Sequence, residues 1–166
     1  GGETFTESFE IVKDPRIGYS DADLVEQFEF LIAVRDKLTE TMNVVRKIRE
    51  LRREAEQAVE KARGGATAEE AARALEELNN KLYPIEERLV QYRARAGQDL
   101  INYPTAIDSK LARLMSFASM GDAPPTEGQR ELLARLSEGV AERAQALDEV
   151  ERNEYATVMK LTSGDR

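Results

Sequence analysis

Adjacent carboxylates are the residues most open to a chemical reading: Glu69 and Glu70, Glu76 and Glu77, Glu86 and Glu87. Two acids held roughly 5–10 Å apart in a cleft can hydrolyse a glycosidic bond, one as proton donor and the other as nucleophile or base. Neighbours on a helix, however, diverge by about 100°, and these pairs lie beside an apolar seam where water reaches them. They read as solvated helix faces, and no catalytic residue is assigned. Composition closes other chemistries. The chain has no His and no Cys, which excludes Glu-x-x-His di-iron bundles, thiolate zinc sites and His-ligated zinc hydrolases. No metal and no cofactor is expected. Gly64-Gly65 lacks the following Lys-Ser/Thr and the preceding strand that a phosphate-cradling loop needs.

The cluster Arg46, Lys47, Arg49, Arg52 and Arg53 invites an anionic ligand. Glu50, Glu54 and Glu56 interrupt it at the three- and four-residue spacing of helix-surface ion pairs, so a self-neutralised face is expected instead. Arg35 falls on an apolar seam between Leu31 and Leu38 and is expected to snorkel or to meet a carboxylate from a neighbouring helix. A net charge of −8 over 166 residues argues against a nucleic-acid partner, whose phosphates would repel the chain. No apolar run approaches the ~20 residues of a membrane span, and no signal peptide is visible.

The elements that would position any site are helices, with one exception. In residues 4–12, Phe5, Phe9 and Ile11 point one way and Thr4, Thr6, Ser8 and Glu10 the other, the period of a half-buried strand. Ser20 with Asp23 then caps a helix running to about Arg63, its seam carried by Leu24, Phe28, Leu31, Leu38, Met42, Val45, Ile48, Leu51, Ala55 and Val59. Such a rod spans about 65 Å. Thr67 with Glu70 caps a second helix, in which Pro84 predicts a kink or a break near Leu82. A connector follows, and Pro104 or Thr105 opens a short third helix with Ile107, Leu111, Leu114 and Phe117 or Ala118 inward. Thr126 with Gln129 caps a fourth, whose seam runs from Leu133 through Tyr155 to Leu161, and residues 163–166 are expected to fray.

The pattern predicts an all-α fold, an up-down-up-down antiparallel four-helix bundle with long first and fourth helices, preceded by one short N-terminal β-strand. Residues 1–19 form strand and linker, and residues 20–166 the bundle. Helices two and three together are expected to span what one long helix spans. A lone strand leaves its backbone groups unpaired, so the chain is expected either to be a piece of a longer polypeptide or to pair with a second copy. The candidate interface is therefore Phe5, Phe9 and Ile11, together with Val45, Ile48 and Leu51, which need cover if the first helix outruns its neighbours.

Two stretches carry a family likeness. They are Phe9-Glu10-Ile11-Val12-Lys13-Asp14-Pro15-Arg16, with Ser20-Asp21-Ala22-Asp23-Leu24, Gln27-Phe28 and Arg35-Asp36, and later Asn102-Tyr103-Pro104, Lys110-Leu111-Ala112-Arg113-Leu114, Asp122 and Pro125-Thr126. Together they resemble the C-terminal region of large bacterial BNR-repeat, sortilin-like β-propeller proteins grouped with glycosyl hydrolases. The resemblance implies propellers upstream, a β-rich domain whose last strand leads into a helical tail, and a secreted or periplasmic setting. Any catalytic acids of the family would lie upstream of this chain. The expected function is a non-catalytic C-terminal helical domain serving packing or protein association, with the upstream domains as partners. A free-standing coiled-coil adaptor that homodimerises is the rival, and a surface-lipid binder ranks last because the seams are rich in Leu and Ala and lack Trp.

Overall fold

The computed structural model describes residues 2–93 and 95–163. Helix α1 (Asp21–Lys61) is followed by α2 (Ala68–Leu89), a 3-10 turn (Gly97–Asn102), α3 (Ile107–Ala118) and α4 (Glu127–Val150). A π-helical turn (Glu151–Tyr155) then leads without interruption into α5 (Ala156–Thr162). No strand forms among the described residues. Residues 2–14 carry no regular element, and Phe5, Phe9 and Ile11 are all about 85 % exposed. The expected strand is absent because nothing in the chain offers it a ladder partner, and alternation alone does not satisfy its backbone. Residues 164–166, most of the end expected to fray, lie outside the described residues.

Two of the three expected capping boxes form. Ser20 Oγ accepts from the Asp23 amide at 3.2 Å while the Asp23 carboxylate accepts from the Ser20 amide at 2.8 Å. Those bonds from Ser20, side chain first, hold the Asp23 carboxyl below its ordinary pKa. Thr126 and Gln129 repeat the arrangement at α4. Thr67 does not cap α2. Its hydroxyl donates instead to the Leu161 carbonyl at 2.9 Å, tying the α1–α2 turn to the end of α5. Gly64, at φ +85°, supplies the left-handed residue that turns the chain after α1. Pro84 does not break α2, which stays helical from Ala68 to Leu89.

Side-chain pairings give the directions of the rods. Arg130 meets Glu26, Lys47 meets Asp148 and Glu151, and the Tyr155 hydroxyl meets Glu54. Both numbers rise together, so α4 and α5 run parallel to α1. Glu86 meets Arg49 and Arg52, which sets α2 antiparallel. Gln27 near the start of α1 donates to the carbonyls of Ala118 and Gly121, so α3 also runs antiparallel to α1. The expected up-down-up-down alternation is thus replaced by three rods, α1 up, α2 then α3 down, and α4 through α5 up. Seventeen connector residues, 90–106, lie between α2 and α3, enough to continue in the same direction rather than reverse it. Gly139 lets the start of α3 approach α4, since a Cβ there would lie 3.1 Å from Ile107 Cδ1.

Two apolar clusters fill the bundle. The larger joins Val45, Ile48, Leu51 and Ala55 of α1 to Leu78, Leu82, Ile85 and Leu89 of α2 and to Leu147, Val150 and Val158. Hence Val45, Ile48 and Leu51 are core residues, at most 6 % exposed, and not a free interface. The physical reason is that α2 folds back over them while the C-terminal rod closes the other side. The smaller cluster gathers Phe30, Val34, Leu111, Leu114, Ala118 and Leu136 at the opposite end. There Phe28, expected on the seam, is 62 % exposed, and Phe30 is buried in its stead. Arg35 likewise turns outward and bonds its neighbour Asp36 at 2.6 Å rather than another helix. No helix is long and apolar enough to cross a membrane, among the described residues.

Candidate functional site

Surface apolar side chains concentrate at the α3 end of the molecule. Leu114 and Ala118 of α3 face inward, and the turn geometry of a 3.6-residue helix then places Lys110, Arg113 and Phe117 along its outer flank. Of the two inward candidates, Phe117 and Ala118, it is Ala118 that is buried, and the phenyl ring is 58 % exposed. Gly128, Gln129 and Leu132 form the facing flank of α4, and the connector from Ile101 to Ala106 closes the third side. These walls enclose an open groove of about 870 Å³, within the roughly 300–1,000 Å³ of sites that enclose a drug-sized ligand.

Its chemistry is simple. Ile101, Leu114, Phe117 and Leu132 supply apolar surface, and the Arg113 guanidinium stands 5.7 Å from the Phe117 ring centre, within cation–π range. Lys110 and Arg113 are the charged side chains of the lining, which contains no carboxylate among the described residues. In a chain of net charge −8 this is a local reversal of sign. Gln91 adds a side-chain N–H that is shielded from solvent and has no partner. Among the described lining residues no hydroxyl is hydrogen-bonded to a basic side chain, the pairing that would activate a nucleophile.

The other candidates resolve differently. Glu86 is not a solvated acid: it is 2 % exposed, with Oε1 accepting from Arg49 at 2.7 Å and Oε2 from Arg52 at 2.8 Å. A carboxylate in the last turn of a helix opposes the helix dipole, and the two guanidiniums offset that cost. Arg52 also lies 4.2 Å from the Tyr83 ring centre. Glu87 bonds Arg93 at the surface, and Glu69, Glu70, Glu76 and Glu77 are exposed. The basic cluster is neutralised mainly across helices: Arg49 and Arg52 by α2, and Lys47 by Asp148 and Glu151 of the C-terminal rod. The Glu151 hydrogen bond, chiefly, raises the Lys47 pKa. The π turn brings Tyr155 to Glu54 at 2.8 Å, and its phenol is pushed up to about 12, first by burial and then by that carboxylate. These groups stabilise the bundle; Lys47, Glu54 and Glu151 also border an open surface pocket of about 380 Å³, and Arg49 one of about 330 Å³.

Phe5, Phe9 and Ile11 stand free at residues 2–14, while Val45, Ile48 and Leu51 lie in the core, so the structure does not bring the six together. The groove escaped sequence reasoning although it left a trace. Ile101, Phe117 and Leu132 are large apolar residues off the inward seams, with no core of their own to join. Among the described residues no group of three or more acidic side chains could hold a metal ion. Comparison with protein-family models, curated proteins and solved structures finds no match to this chain. The likeness to BNR-repeat proteins therefore rests on its short motifs alone.

Proposed function

We propose that the chain is a non-catalytic helical module for protein association, and that the groove between α3, α4 and the connector is its working surface. The observation that carries this reading is the combination of exposed Ile101, Phe117 and Leu132 with Lys110 and Arg113 and no acid in the lining. Contiguous apolar surface edged by one sign of charge suits an extended partner segment that carries both aromatic residues and carboxylates. As the BNR resemblance implies, such a module would sit at the C-terminal end of a secreted or periplasmic propeller protein. The rival, a homodimerising adaptor, draws on the exposed apolar face of residues 4–12.

The test is titration with a ten-residue peptide that interleaves Phe and Glu, followed through the methyl NMR signals of Leu114 and Leu132. Saturable shifts at those methyls are expected, with affinity at least about tenfold weaker when the Glu residues are replaced by Lys. Methyls that do not respond to either peptide would remove the groove as a binding surface.

A further inference from the structure

The groove and the free N-terminal segment carry opposite halves of one interaction. In extended form residues 3–12 place Glu3, Phe5, Glu7, Phe9 and Ile11 on one face, the period of a strand. That segment holds three acids and no Lys or Arg, whereas the groove holds two cations and no acid. Phe5 and Phe9 are each 85 % exposed and Ile11 is 87 % exposed, so in its own chain the segment covers nothing. Its root is pinned. Lys13 donates to the Tyr19 carbonyl and to Asp21, the Ile17 amide closes a turn onto the Asp14 carbonyl, and Asp14 binds Arg16. From that root residues 3–12 extend clear of the helices.

We infer that residues 3–12 of a second copy of this chain occupy the groove, so that two copies exchange segments reciprocally. The inference rests on the groove being a protein-binding surface. Phe5, Phe9 and Ile11 enter beside Phe117 and Leu132, and Glu3 and Glu7 on the same face meet Arg113 and Lys110. Each copy contributes one segment and one groove, a closed two-fold arrangement that leaves neither face uncovered. Four Phe side chains alone remove on the order of 800 Å² from water. Counting the surfaces that receive them, this approaches the ~1,200 Å² at which specific interfaces begin. The exchange needs the extended segment alone, whatever chain precedes it. It also explains how a strand-patterned stretch persists in an all-helical chain: its side-chain face is specified even though its own body does not pair it.

Light scattering of the full chain between about 1 and 100 µM, a range that spans ordinary transient affinities, tests the exchange. A dimer is expected. F5S/F9S should be monomeric, and K110E/R113E should raise the dissociation constant at least about tenfold, both with unchanged helical circular dichroism. A labelled peptide of residues 3–12 should bind the F5S/F9S protein at the Leu132 methyl and fail to bind K110E/R113E. A wild-type chain that stays monomeric, or a dimer that survives F5S/F9S, overturns the exchange. If the wild-type monomer still responds at Leu132 to the Phe-Glu peptide, the groove reading stands and the partner is another protein. Silence there removes both.

Discussion

The two ends of the bundle handle apolar surface in opposite ways. At the α1–α2 turn end, three rods close around Ile48, Leu78, Leu82 and Val158, each 0 % exposed, and ion pairs to Glu86 and Lys47 cross between rods. At the α3 end the core is smaller, and Val25, Phe28, Phe117 and Met120 are each more than half exposed. One end has spent its apolar residues on itself, and the other keeps them on the surface. Singly exposed apolar residues are ordinary. Their clustering at one end, around a groove of reversed charge, sets the proposed binding surface apart from the scaffold.

Mutations can break that contrast. The largest effect is expected from Leu82→Ala, which should lower unfolding stability by about 3 kcal/mol in denaturant melts, as fully buried Leu truncations do. Leu132→Ala, at the groove, should change it by less than ~0.5 kcal/mol, and comparable losses at both positions would abolish the distinction. Glu86→Gln comes next. It keeps the shape but leaves two guanidiniums facing an amide, and a loss of about 1–2 kcal/mol is expected, tempered because Arg49 is half exposed. The smallest effect is titration of Tyr155. Its phenol is raised to about 12, so the stability it contributes is complete below the ordinary Tyr pKa of about 10 and fades as pH climbs toward 12. Absorbance at alkaline pH should show one of the five tyrosines ionising late, and Tyr155→Phe should remove that late step alone.

What could be read from residues alone follows the range of the interactions. The Ser20–Asp23 and Thr126–Gln129 caps were legible because both partners lie three positions apart. Thr67 was misleading because its hydroxyl is claimed by Leu161, 94 positions away. The second half of the α1 seam, Val45, Ile48, Leu51 and Ala55, follows its spacing, whereas Phe28 and Phe30 both fit a helical seam and only the placement of α3 decides between them. Rod direction was equally hidden, since connector length permits either a reversal or a continuation. The groove is the extreme case. Its walls come from Ile101, Phe117 and Leu132 on three separate elements, and no local pattern links them.

Three rods rather than four decide where the chain enters and leaves. The start of α1 lies beside Gly121 and Arg130, and the end of α5 lies beside Thr67, at the far tip of α1. With 41 residues in α1, the two ends stand about 60 Å apart. An even number of rods would return the chain to its point of entry. An odd number makes the molecule a strut, which would hold anything joined before residue 20 and anything joined after residue 163 at a fixed distance.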